Sequence, residues 1–159
     1  MMEYEKWDLR YLELTKLVAS WSRDPSTQTG AVIVRPDNSV ASLGYNGFPR
    51  GIADLPERYE DRDVKYSLIV HCEMNAVLSA HSGVRGCTLY TWPFLSCDRC
   101  AVHMIQAGIV RAVAPTCPPD KIDRWAGVFE QTKSRFAEAG VEYLEIPYEL
   151  FGVNCNGLS

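Results

Sequence analysis

Histidine is scarce in this chain, with three in 159 residues, and there is a single Cys-x-x-Cys. No apolar run approaches the roughly 20 residues that a membrane-crossing helix needs, so no membrane partner is expected. Basic residues are in deficit, 16 Lys and Arg against 20 Asp and Glu, for a formal charge of −4. That balance argues against stable nucleic-acid binding, which relies on basic patches that neutralise phosphates. It leaves room for one phosphate held by local side chains. A modest basic cluster exists at Arg23, Arg50, Arg58, Arg62 and Lys65, although solvated loop charge is the plainer reading of most of these. A secretory leader is not evident, because Met1-Met2-Glu3-Tyr4-Glu5-Lys6 is acidic and polar. A cytoplasmic location is therefore expected, and with it reduced thiols rather than disulfides.

What is present is an ordinary globular composition, 47% hydrophobic and 23% charged. A chain of this length builds one domain, residues 1–159, with a core of its own. Apolar residues recur at near-helical period from Glu5 to about Trp21, up to the turn signal Ser22-Arg23-Asp24-Pro25. Gly30 to Val34 suits a buried strand, Arg35-Pro36-Asp37-Asn38 a tight turn, and Ser39 to Gly44 the partner strand of a hairpin. A polar segment from Tyr45 to about Lys65 reads as a long loop for substrate or effector.

Helical character returns from His71 to about Ala80, with Met74, Ala76, Val77 and Leu78 as the apolar side. Then come a strand at Cys87–Thr91, a helix at Cys97–Ala107 stopped by Gly108, and a strand at Ile109–Ala114. A helix capped by Asp120 or Asp123 follows, reaching Ala139, with a fifth strand at Val141–Ile146. The tail from Pro147 to Ser159 reads as irregular. Alternation of this kind predicts an α/β fold with helices on both faces of a mixed sheet.

The chemistry concentrates in two short stretches, His71-Cys72-Glu73 and Cys97-Asp98-Arg99-Cys100. One imidazole and two thiolates are ligands that zinc prefers, and three protein ligands with an open fourth position describe a catalytic rather than a structural zinc. Both stretches fall at helix starts, where the positive end of the helix dipole favours thiolate. Glu73 stands where it could carry a proton for a metal-activated water. A redox Cys-x-x-Cys or half of a zinc ribbon is the alternative. The upstream His-x-Glu would then be coincidence, and no second Cys-x-x-Cys exists. His81 and His103 have no matching partners and belong on helix surfaces, while Cys72, Cys87, Cys117 and Cys155 read as small buried hydrophobes.

His-x-Glu followed some two dozen residues later by Cys-x-x-Cys resembles the signature of the zinc-dependent cytidine and deoxycytidylate deaminases. The likeness extends to Ser22–Val34, to Gly44-Tyr45-Asn46-Gly47-Phe48-Pro49-Arg50-Gly51, to His71–Leu78 and to Ile105–Ile109, and is greatest for the deoxycytidylate (dCMP) branch. The resemblance implies a three-layer α-β-α, cytidine deaminase-like fold around a five-stranded mixed sheet. It implies Zn2+ held by His71, Cys97 and Cys100, with Glu73 as proton shuttle in the hydrolytic deamination of dCMP to dUMP and ammonia. It further implies that Asn46 contacts the sugar or base, that Ser22 and Arg23 approach the 5′ side with Arg23 as phosphate ligand, and that Arg50 is a second candidate. Relatives of this kind are commonly homo-oligomers, often hexamers, and many respond to dCTP and dTTP, in part through the loop ending at Gly51.

One departure bears on the substrate. The family usually has Pro immediately before the first Cys of the pair, whereas this chain has Ser96, and Thr91-Trp92-Pro93-Phe94-Leu95-Ser96 is one residue longer than usual. Trp92 and Phe94 can reshape the pocket there, which keeps open a related deaminase acting on another nucleoside, a free base or a pterin-like amine. A zinc-binding nucleotide sensor or silent subunit is the non-enzymatic alternative, and the intact Glu73 argues against it.

Overall fold

The strand Gly30–Val34 (β1) is buried along its whole length, as its unbroken apolar sequence demands of a central strand covered on both sides. The computed structural model describes residues 3–152, and in it β1 is flanked by Val40–Tyr45 (β2) and Thr88–Trp92 (β3), both antiparallel to it. Arg111–Pro115 (β4) and Glu142–Ile146 (β5) continue from β3 in parallel, giving the order β2-β1-β3-β4-β5. Successive residues of β1 serve opposite faces. Val32 and Val34 pack with Tyr11, Leu12 and Val18 of the helix Lys6–Ala19 (α1) and with Tyr90, Val113 and Ile146. Ala31 and Ile33 pack on the other side with Leu89, Ala112, Met104 and Phe136. Each large apolar side chain buried there contributes about 1.5–3 kcal/mol. The expected three-layer α-β-α arrangement with a five-stranded mixed sheet is what the chain forms.

The segment from Tyr45 to Lys65 departs from the expected loop. It carries two short helices, Pro56–Glu60 (α2) and Arg62–Leu68 (α3). Asp61 caps α3 by accepting from the amides of Asp63 and Val64. Charge and turn residues hid their period. Cys72–Ser79 (α4) buries Cys72, Glu73 and Ala76, whereas Leu78, expected on its apolar side, is 78% exposed.

Asp98–Ala107 (α5) ends at Gly108 in the left-handed conformation. Ile122–Ala139 (α6) follows Lys121, and neither Asp120 nor Asp123 caps it with a side chain. At the tail, Tyr148–Phe151 forms one 3-10 turn, with Phe151 buried against Trp92. The remainder of the expected irregular tail, with Cys155, lies outside the described residues. No helix of the described residues is long and apolar enough to cross a membrane.

Register decides where the site lies. Gly30 pairs with both Tyr45 and Trp92, so the start of β1 and the ends of β2 and β3 share one edge of the sheet. The connections leaving that edge contain residues 22–29, 46–55 and 93–97, and the bridge between Gly47 and Val70 draws the start of α4 to it as well.

Candidate active site

His71 is the residue preceding α4 and Cys97 the residue preceding α5, both in extended conformation, while Cys100 lies in the first turn of α5. The Cys97 sulfur accepts a hydrogen bond from the Cys100 amide at 3.4 Å, which fixes its direction. His71 Nδ1 lies 3.5 Å from Cys97 Sγ and 3.3 Å from Cys100 Sγ. All three ligand atoms fall within 4.8 Å of one another, and they are the one such group among the described residues. A borderline-soft divalent cation is what two sulfurs and one imidazole nitrogen at this separation suit, so the residues fit zinc.

The protonation states lean the same way. Cys97 is drawn down to about 4 by hydrogen bonds from the Cys100 thiol and from His71, against the effect of burial. Cys100 is pushed up by the neighbouring Cys97 sulfur, by burial and by Glu73. His71 rises to about 9, chiefly through its hydrogen bond to Cys97, with the charge of Glu73 assisting. A thiolate stabilised by two protonated neighbours is an arrangement in which a divalent cation takes the place of two protons.

Of these residues, His71 and Cys97 line a cavity of about 510 Å³. Glu73 is 6% exposed and lines it, and no Lys or Arg forms an ion pair with Glu73 among the described residues. Trp92, Phe94 and Trp125 provide an aromatic side, Phe94 lying 5.4 Å from Trp125 between ring centres. Thr91 Oγ1 donates to the Phe94 carbonyl and Thr132 Oγ1 to the Ser96 carbonyl, so the lengthened segment before Cys97 is pinned from β3 and α6. The Ser96 hydroxyl is buried without a hydrogen-bond partner.

The remaining expected residues are distributed unevenly. Asn46 lines the cavity, but its amide nitrogen donates to Asp24 Oδ2 and the Thr27 carbonyl while its oxygen accepts from the Thr29 amide. Both donors are used, and one acceptor lone pair is left. Ser22 is buried, donates to the Asn46 carbonyl at 2.8 Å, and does not line the cavity. Arg23 does not line it either. Its guanidinium faces Asp54 at 3.7 Å, is 75% exposed, and borders a separate cavity of about 200 Å³ behind Asn46 and Tyr59. Arg50 is exposed and lines neither cavity.

Sequence reasoning named Arg62 and Lys65 only within a basic cluster read mostly as solvated loop charge and passed over Tyr66, Arg124 and Trp125, yet all five line the large cavity. Lys65 is 9% exposed and donates to Asp24 Oδ1 at 2.9 Å, tying α3 to the loop after α1. The i, i+4 spacing of Arg62 and Tyr66 was the available signal, and it had meaning only once residues 62–68 were helical.

Fold and site together define a zinc-dependent hydrolase of the cytidine deaminase-like class, with a carboxylate beside a three-ligand metal cluster at one edge of a mixed sheet. The family model described as the cytidine and deoxycytidylate deaminase zinc-binding region matches residues 5–116. The chain is 37% identical over 145 residues to an uncharacterised deaminase from the luxG 3′ region of Aliivibrio fischeri, covering 91% of this chain and 97% of that one. It is 36% identical over 149 residues to the deoxycytidylate deaminase of Mus musculus, covering 89% and 80%. The structure of the dCMP deaminase of cyanophage S-TIM5 in complex with dCMP and dUMP superposes with a TM-score of 0.68 at 18% identity, covering 91% of this chain and all of that one. The chain belongs to the cytidine and deoxycytidylate deaminase zinc-binding family, and His71, Cys97 and Cys100 form a group that could hold a metal ion.

Proposed function

We propose that the chain deaminates dCMP, with water, to dUMP and ammonia. The observation that carries this is Glu73, buried and in no ion pair with a Lys or Arg among the described residues, lining the same cavity as His71 and Cys97 of the candidate metal group. Bound by that group, zinc supplies Lewis acidity that lowers the pKa of water to about 7. The reaction forms a C4–O bond and breaks the C4–N bond of the pyrimidine. The Glu73 carboxylate takes one proton of the attacking water and delivers it to N3, then takes the remaining proton from the new C4 hydroxyl and gives it to the departing amine as the C4 carbonyl forms, so that it ends unchanged. Trp92, Phe94 and Trp125 supply an apolar side for the base, and 510 Å³ accommodates a mononucleotide.

Asn46 acts through the one lone pair it has left, as acceptor for a sugar hydroxyl. Ser22 holds the Asn46 backbone and so positions that acceptor. In this reading Arg23 borders the neighbouring small cavity and Arg50 is exposed on the loop that follows Phe48, where a nucleotide effector such as dCTP or dTTP would find them. The setting is pyrimidine deoxynucleotide metabolism in the cytoplasm, carried out by a homo-oligomer. The similarity to the mouse deoxycytidylate deaminase across most of both chains supports the choice of substrate.

The test is ammonia release by the zinc-loaded protein from dCMP, deoxycytidine, dCTP, cytosine, guanine and a pterin amine. Turnover of dCMP at the highest kcat/KM is expected. No turnover of dCMP alongside turnover of another amine overturns the assignment.

A further inference from the structure

We infer that Arg62 and Arg124, joined through the Tyr66 hydroxyl, form the anion seat that reads the 5′-phosphate of the substrate. This deepens the dCMP reading above and rests on it. Arg62 Nε donates to Tyr66 Oη at 3.1 Å, and Arg124 Nη2 donates to the same oxygen at 2.9 Å. The two arginines come from α3 and from the first turn of α6, so the tertiary fold brings them together.

Two guanidinium groups converging on one neutral oxygen repel each other, and neither forms an ion pair with a carboxylate among the described residues. The other cation of the cavity, Lys65, is already matched by Asp24. Such a pair is stabilised by an anion that neutralises both, and guanidinium planes match the oxygens of a phosphate monoester. The Tyr66 hydroxyl accepts from both arginines and keeps its own proton to donate. Each arginine is also braced on an aromatic ring, Arg62 over Tyr66 at 5.3 Å and Arg124 over Trp125 at 5.2 Å. Trp125 in turn stands beside Phe94, which lines the cavity with His71 and Glu73. One continuous surface thus runs from the metal cluster, past an aromatic side, to a bipartite cation. A nucleoside monophosphate offers the same two ends, a base for the metal cluster and aromatic side and a phosphate for the cation pair.

The geometry separates this seat from Arg23, which faces Asp54 outside the cavity. Binding of dUMP, deoxyuridine and inorganic phosphate to the zinc-loaded full chain, measured by calorimetry, tests it. Arg62→Gln and Arg124→Gln each should weaken dUMP by about 10- to 100-fold and deoxyuridine far less. The ratio of kcat/KM for dCMP over deoxycytidine should fall in parallel. Both side chains are exposed and zinc content reports the fold, so loss of structure is distinguishable from loss of the seat. Equal weakening of dUMP and deoxyuridine overturns the inference, as does a selective loss of dUMP in Arg23→Gln but in neither Arg62→Gln nor Arg124→Gln. If the wild-type chain deaminates a different amine, the substrate reading fails, and inorganic phosphate decides the seat. Weaker phosphate binding by the double variant then sustains it, and unchanged binding overturns it.

Discussion

Glu73 shows how one side chain acquires a role from its neighbours. It is buried in the first turn of α4, two residues past the candidate metal ligand His71, and lacks the Lys or Arg that a structural buried carboxylate would need. Glu73→Gln keeps the shape and removes the exchangeable proton. Turnover should fall by about 10²- to 10⁴-fold, the usual worth of a positioned general acid or base, while zinc content by atomic absorption stays at the wild-type level. Retained turnover would remove Glu73 from proton transfer. At this scale the sequence was most informative where chemistry is local. His71, Glu73, Cys97 and Cys100 sit in two short motifs whose spacing already implies helix starts. Arg62 and Arg124 are 58 residues from meeting Tyr66 in one case and four in the other, and no local pattern ties all three together.

The elements position these side chains through close backbone contact and one ion pair. A Cβ on Gly44 of β2 would stand 2.5 Å from the Ala76 amide nitrogen and 2.7 Å from the Cys72 carbonyl oxygen, so only glycine lets α4 sit against this strand. Gly44→Ala should therefore cost about 1–3 kcal/mol of stability and displace the start of α4. Zinc affinity, measured by competition with a chromogenic chelator, should fall with it because His71 precedes that helix; unchanged affinity would show that α4 shifts without moving its ligand. Lys65 tests the other attachment. Lys65→Met leaves Asp24 buried with only neutral partners and should destabilise the protein by about 3 kcal/mol in urea unfolding. It should also raise KM more than it lowers kcat, since α3 forms part of the substrate cavity rather than the metal group. The helices α2 and α3 were the part of the fold least legible from sequence. They are five and seven residues long, polar on most sides, and held by Asp61 capping and the Lys65–Asp24 pair rather than by an apolar stripe.

For the whole molecule, alternation of strands and helices was enough to foresee the layers, because burial on both faces leaves its mark as short continuous apolar strands. What it could not supply was the connection between layers made by polar groups. Asp8 on α1 is 2% exposed and accepts from Arg111 of β4 at 2.7 and 3.0 Å and from the Tyr90 hydroxyl of β3 at 2.8 Å. Arg111 begins β4, at the edge of the sheet opposite the catalytic one, so this cluster ties the α1 layer to the sheet far from the chemistry. Burial works to raise the Asp8 pKa, but the Arg111, Glu5 amide and Tyr90 hydrogen bonds and the Arg111 charge together outweigh it and hold the carboxyl below its ordinary 3.8. A carboxylate with a depressed folded-state pKa stabilises fully above its unfolded value and loses that contribution as pH falls through the folded one. Asp8→Asn should thus lower stability by about 3 kcal/mol near neutral pH, with kcat and zinc content unchanged. The gap between variant and wild type in urea unfolding should narrow as pH drops below about 3.8. A gap of constant size across that range would mean that Asp8 contributes by packing and neutral hydrogen bonds alone, and that the ion pair with Arg111 adds nothing to the attachment of α1.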